Sequence, residues 1–230
     1  MLKLQNVTVI YPDKTKAIDN ISFTLNAGEN IALIGENGAG KTSLLLAIAG
    51  VLKPEEGVIE APKQIGLVFQ NPDDQLFMPL IYDDVAFGCR NFGLPEEQVK
   101  TRVEETLSRL NISHLKNRSS LKLSCGEKRM AAIATVLSMN PSILMFDEPT
   151  AYLDPKAKRA LAETLKNLQH EKIIATHDMV FAAEVCNRVI VLKDGRIVAE
   201  GGKDLLHDEE VFYFLSYGKQ QISVAAPKDP

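Results

Sequence analysis

The chain has 230 residues, 45% of them hydrophobic and 24% charged, with a formal net charge of -4. That is enough apolar material for a buried core in one domain, or in one domain with a lobe. The acidic balance excludes the broad basic footprint of a nucleic-acid binder, so no nucleic-acid partner is expected. The longest uninterrupted apolar stretch runs only from Leu44 to Leu52, whereas a membrane-spanning helix needs roughly 20 residues. The opening Met1-Leu2-Lys3-Leu4-Gln5-Asn6 lacks an apolar signal core, so the expected location is the cytoplasm, with any membrane role exercised through a partner. Cys89, Cys125 and Cys186 are widely spaced and form no Cys-x-x-Cys, which fits reduced thiols rather than a disulfide scaffold or zinc site. His114, His170, His177 and His207 show no ligand spacing either.

In chain order, Leu2, Leu4, Val7 and Val9, then Ile21, Phe23 and Leu25, half-alternate with polar residues. They predict antiparallel strands with one covered face. Ile31-Ala32-Leu33-Ile34, Ile143-Leu144-Met145-Phe146, Ile173-Ile174-Ala175 and Val189-Ile190-Val191-Leu192 are continuous apolar runs, suited to strands buried on both faces of a parallel sheet. Helices are predicted over Lys41 to Ala49 and over Pro95 to Leu110, the latter opening on Pro-Glu-Glu. Ser124 to Met139 opens on the capping-box pattern Ser-x-x-Glu, and Asp154-Pro155 starts a helix running to about His170. Strands alternating with helices give an α/β class. The stretch from about Pro72 to Ser138 is mostly helical and interrupts the strand series. The expected organisation is therefore one domain over 1–217, with a core at about 1–71 and 139–217, a helical subdomain at about 72–138, and a flexible tail at 218–230.

Gly35-Glu36-Asn37-Gly38-Ala39-Gly40-Lys41-Thr42 matches the pattern G-x-x-x-x-G-K-[ST] between a buried strand and a helix. Its glycines let successive backbone N–H groups face one anion, and the helix start adds about half a positive charge. Lys41 can reach terminal phosphates, and Thr42 can offer its hydroxyl to Mg²⁺. The strand Ile143 to Phe146 ends in adjacent carboxylates. At the carboxyl end of a strand, Asp147 can hold Mg²⁺ beside Thr42, while Glu148 points elsewhere and can polarise an attacking water.

Between these motifs lies Leu123-Ser124-Cys125-Gly126-Glu127-Lys128, which resembles the signature of ABC ATPases. Tyr11 stands where that family has its adenine-stacking aromatic and Gln70 where it has the Q-loop. Ala151-Tyr152-Leu153-Asp154 looks like the D-loop and His177 like the switch histidine. The resemblance implies a P-loop NTPase fold of ABC type: a mixed sheet with helices, an antiparallel β subdomain and an inserted helical subdomain. It implies ATP hydrolysis, with Glu148, His177 and Gln70 catalytic. Tyr11, residues 35–42 including Glu36, Asn37, Gly38 and Ala39, Ser43, Ser124, Gly126 and Glu127 would bind nucleotide. Thr42, Gln70 and Asp147 would hold Mg²⁺.

Gln70-Asn71-Pro72-Asp73-Asp74-Gln75-Leu76-Phe77, followed by Asp84-Val85-Ala86-Phe87-Gly88, is similar to energy-coupling-factor ATPases, and within them to cobalt and nickel importers. The implied partners are a second copy or close paralogue packed head to tail, and integral membrane transporter subunits at the cytoplasmic face. The lobe near Gln70 would be the dock, with Asp73, Asp74, Asp83 and Asp84 meeting basic residues of the membrane subunit. Vitamin transport, or nucleotide binding with little turnover, stays open as an alternative. A chromosome-type ABC ATPase is disfavoured because too few residues separate Thr42 from Leu123 for a coiled-coil arm. A tandem translation factor would need two cassettes. Two residues depart from the family pattern. Cys125 replaces a glycine, at a cost of order 1 kcal/mol if that backbone needs positive φ, and Tyr152 is bulkier than the usual D-loop residue.

Overall fold

The computed structural model describes residues 1–208; the expected end of the domain at 217 and the tail at 218–230 lie outside them. Strands β1 (Leu2–Ile10) and β2 (Lys16–Leu25) pair antiparallel, with Leu2 opposite Leu25 and Leu4 opposite Phe23. The apolar alternation slips phase between Leu4 and Val7, and the register shifts there, at Asn6 with φ +51°. That bulge returns Val7 and Val9 to the covered face. β4 (Glu56–Glu60) pairs antiparallel with β1 and completes a three-stranded sheet.

The second sheet has the order β5 (Ile65–Val68), β6 (Ile143–Asp147), β7 (Glu171–Ala175), β3 (Asn30–Gly35), β8 (Arg188–Lys193), β9 (Arg196–Gly202). Pairing is parallel from β5 through β8, and β9 runs antiparallel to β8, so the sheet is mixed. The continuous apolar runs follow from covering both faces. Ile31 and Leu33 join Met145 and Ile173 against α1 (Lys41–Ile48) and the three-stranded sheet. Ala32 and Ile34 join Phe146 and Ile174 on the other face.

That other face carries α2 (Ile81–Asn91), α3 (Glu96–Arg109), α4 (Cys125–Leu137), α5 (Pro155–Asn167) and α6 (Met179–Val185). The residues between 72 and 138 are mainly helical, and Val85, Val103 and Ala132 belong to the same buried cluster as Ile34 and Phe146. Pro95 caps α3 rather than opening it. α5 stops three residues short of the expected His170, because Leu168 turns extended and buries its side chain. The buried Lys172 ammonium then donates to the carbonyls of Leu168 and His170, satisfying the frayed end of the helix. α2, α6, β4, β5 and β9 carry patterns too short or too mixed to be read individually.

Candidate functional site

β6, β7 and β3 are neighbours in the sheet, so their carboxyl ends meet at one edge. The loop leaving β3 at Gly35 turns into α1 through Gly40, whose φ is +101° and where an added Cβ would lie 2.5 Å from the Ala17 carbonyl oxygen. Only glycine fits both conditions. The buried Lys41 ammonium folds back over the loop, donating to the carbonyls of Gly35 (2.7 Å) and Glu36 (3.1 Å). Thr42 Oγ1, at the start of α1, donates to Asp147 Oδ2 at 2.7 Å, joining the end of β6 to the loop.

Glu148 leaves the strand with φ +43°, while its N–H donates to the Ala175 carbonyl. A left-handed glutamate costs roughly 1–2 kcal/mol. The departure turns its side chain away from that of Asp147. Glu148 Oε2 meets His177 Nδ1 at 2.8 Å and accepts from the His177 N–H at 3.3 Å, and Oε1 is 3.7 Å from the Lys41 ammonium. Both carboxylates are buried, and neither Asp147 Oδ1 nor Glu148 Oε1 accepts a hydrogen bond. Burial pushes the Asp147 carboxyl above the usual carboxylate range, against the pull of the Thr42 hydrogen bond. Buried carboxylate oxygens left open beside a hydroxyl and an ammonium are suited to a divalent cation and a polarised water.

A cavity of about 430 Å³ lies over this arrangement, lined by Tyr11, Asn37, Gly38, Gly40, Lys41, Thr42, Ser43, Gln70, Asp147, Glu148 and His177 among others. The hydroxyls of Tyr11 and Ser43 are 3.0 Å apart, which fixes the ring at the cavity wall. Ala39 is buried, and its carbonyl accepts from the Gly195 N–H, so it supports the loop from behind. A second cavity of about 660 Å³ shares Thr42, Gln70 and Asp147 and adds Phe69, Asn71, Asp74 and Tyr152. Thr15, Lys16 and Ala17 also line the first cavity. No sequence motif marks them; the antiparallel pairing of β1 and β2 brings them there.

Ser124, Gly126 and Glu127 are not among the residues lining either cavity. They form the start of α4, where the Ser124 hydroxyl accepts from the Glu127 N–H and the Glu127 carboxylate accepts from the Ser124 N–H. The Ser124 backbone hydrogen bond leads the causes that hold the Glu127 carboxyl below its usual range. Cys125 is the first residue of α4 and has no positive φ, so the strain considered for it is absent. Cys125→Gly is therefore expected to keep ATP turnover within about twofold, since it relieves no backbone strain and leaves the cap in place. A larger loss in a phosphate-release assay would assign the thiol a role of its own. Tyr152 is 79% exposed with φ +63°.

Of the four aspartates expected to form an acidic docking cluster, Asp73 and Asp74 are exposed and Asp83 is partly exposed, but Asp84 is not available. Asp84 is buried and accepts from the N–H groups of Phe77 and Met78. Asp73 pairs with Lys128 at 2.6 Å, and Asp83 with Arg90 at 3.4 Å. Asp84 therefore serves loop closure, while Asp73 and Asp83 make surface pairs.

A phosphate-type cradle and paired carboxylates at the carboxyl edge of a mixed, mostly parallel sheet define a P-loop nucleoside triphosphatase. Residues 18–151 match the model of the family described as ABC transporter, and the chain belongs to that family: it is an ABC ATPase. It is 44% identical to a putative ABC transporter ATP-binding protein of Geobacter sulfurreducens, over 92% of this chain and 90% of that one. It is 41% identical to the energy-coupling factor transporter ATP-binding protein EcfA of Carboxydothermus hydrogenoformans, over 91% of this chain and 84% of that one. Among solved structures it resembles cbiO1 of Clostridium perfringens, described as part of the ABC transporter complex cbiONQ. That likeness has a TM-score of 0.80 and 37% identity, covering 94% of this chain and 95% of the other.

Proposed function

We propose that this ABC ATPase energises an energy-coupling-factor importer for cobalt or nickel ions, working at the cytoplasmic face of the membrane. The observation that carries the motor reading is the convergence of Lys41, Thr42, Asp147, Glu148 and His177, with two buried carboxylate oxygens open, beneath one cavity. The energy-coupling-factor part is supported by the relatives named EcfA and cbiO1, and the choice of cobalt or nickel by the resemblance carried by the run Gln70 to Phe77.

Lys41 and the backbone N–H groups of residues 36–42 cradle the phosphates, and Tyr11 stacks on the base. Thr42, Asp147 and Gln70 would hold Mg²⁺, which when bound neutralises charge on the terminal phosphates. Glu148 orients and polarises the attacking water, and His177 holds the Glu148 carboxylate in place. Ser124 and Gly126 begin α4 away from both cavities, so the cradle of one copy is completed by the helix start of a second copy, packed head to tail. ATP then bridges two subunits, and loss of its terminal phosphate opens them.

Among the described residues no helix is long and apolar enough to cross a membrane, so transport requires membrane subunits. Phe77 and Phe87 pack edge to face, 5.0 Å between centroids, yet are 62% and 39% exposed beside the loop that carries Gln70. This apolar patch, with the exposed Asp73 and Asp74 on the same loop, is the dock for a cytoplasmic segment of the membrane subunit. Phe77→Ser with Phe87→Ser should cut co-purification with that subunit about tenfold, while ATPase activity of the free protein stays within about twofold, because the rings lie outside the two cavities. Undiminished co-purification would place the dock elsewhere.

The function is tested by coexpression with the membrane subunit that co-purifies and reconstitution into vesicles. ATP-driven uptake of cobalt or nickel is the expected result. Uptake of another solute alone removes the metal assignment, and absence of phosphate release removes the motor reading.

A further inference from the structure

The run Gln70 to Phe77 contains more than the cavity residue Gln70. After β5 ends at Val68, Phe69 and Gln70 lead into a single 3-10 turn at Pro72–Asp74. This excursion is held by α4. Arg129, 1% exposed, donates from Nη1 to the Phe69 carbonyl at 2.7 Å and from Nη2 to the Gln70 carbonyl at 2.6 Å. Gln75 closes the loop on itself by accepting from the Phe69 N–H at 3.1 Å. It then ties the loop to α4 by donating to the Ala132 carbonyl (3.0 Å) and Thr135 Oγ1 (2.8 Å). Lys128, also on α4, pairs with Asp73 at the surface.

The economy of this arrangement is unusual. Among the described residues Arg129 makes no ion pair, and its Nε is buried without a hydrogen-bond partner. Burial pulls its guanidinium down to about 10, so it remains a cation at neutral pH. A buried cation without a direct ion-pair partner is costly in a fold, and here the Asp147 carboxylate and Cys125 act on it only through space. Two successive carbonyls on a planar fork fix the orientation of the two peptides flanking Gln70, and hence the direction in which the Gln70 side chain leaves the loop. A lysine offers no such fork. The same helix begins just over one turn earlier, at its N-cap Ser124.

We propose that Arg129 and Gln75 are positioning residues that fasten the Gln70 loop to α4 and so set where the Gln70 side chain stands in the cavity. The proposal rests on the reading of Gln70 as a participant in turnover.

The test is steady-state phosphate release by Arg129→Lys and Gln75→Leu, each alone and each combined with Gln70→Ala, with thermal melting of every variant. Each single change is expected to lower kcat about tenfold with KM for ATP within about twofold, the split expected when a catalytic arrangement rather than binding is lost. In the Gln70→Ala background both should become silent, within about twofold, since they act through the residue already removed. Losses that multiply in that background, or single variants with wild-type kcat, overturn the proposal. Wild-type turnover by Gln70→Ala alone instead overturns the reading of Gln70 itself, and the proposal with it. Gln75 is only half-buried, so Gln75→Leu carries the test if Arg129→Lys proves unstable.

Discussion

Glu148→Gln is expected to slow ATP turnover at least about 100-fold while leaving ATP bound, the loss typical of removing a general base. Glutamine has the same shape and retains a carbonyl oxygen that can accept from the His177 N–H, as Glu148 Oε2 does. What it lacks is the negative charge that polarises a water. Removing that charge, 3.7 Å from the Lys41 ammonium, also leaves Lys41 freer to pair with phosphate. ATP affinity should hold or rise, and the variant should accumulate as a nucleotide-bridged dimer. Phosphate release measures the first effect, and light scattering with and without ATP the second. More than a tenth of wild-type turnover would remove Glu148 from the role of base. A variant that stayed monomeric in ATP, even with its membrane companion, would sink the two-copy sandwich.

Gly40→Ala should do comparable damage by a different route. The residue sits at φ +101°, and the new methyl would lie 2.5 Å from the Ala17 carbonyl oxygen and 3.0 Å from Ile18 Cδ1. The neighbouring atom at 2.5 Å is backbone and cannot swing aside. Its strand is further tied, because the Asp19 N–H donates to the Gly195 carbonyl and the Gly195 N–H to that of Ala39. The loop must therefore move away from α1, and its N–H groups lose their common focus. ATP affinity is expected to fall about 100-fold, equivalent to about 2.7 kcal/mol. Gly38→Ala is the control. Its φ is +85°, but an added Cβ meets nothing within 4 Å, so only backbone strain of about 1 kcal/mol applies. Calorimetric titration with ATP separates the two. Equal effects would mean that the close approach at Ala17 is not what demands glycine.

Much of the site was legible because its chemistry is written locally. The cradle needs contiguous residues between one strand and one helix, and the acids need only the end of one strand, so spacing alone finds Lys41, Thr42, Asp147 and Glu148. The capping box of α4 was readable for the same reason, since both partners lie within one turn. The fate of Asp84 was not legible, because charge in a sequence says nothing of burial: its carboxylate is spent on the N–H groups of Phe77 and Met78. The early end of α5 was hidden too, because the lysine that satisfies the Leu168 carbonyl arrives from the next strand.

By itself, then, the sequence determined the class of fold, the cradle and the acids, since each depends on periodicity or on neighbours a few residues apart. Tertiary structure alone decided that Thr42 reaches Asp147, that Glu148 lies between Lys41 and His177, and that Arg129 grips the loop of Gln70. Those contacts join residues many positions apart, and only the closing of the sheet around its two buried faces brings their side chains within hydrogen-bonding reach.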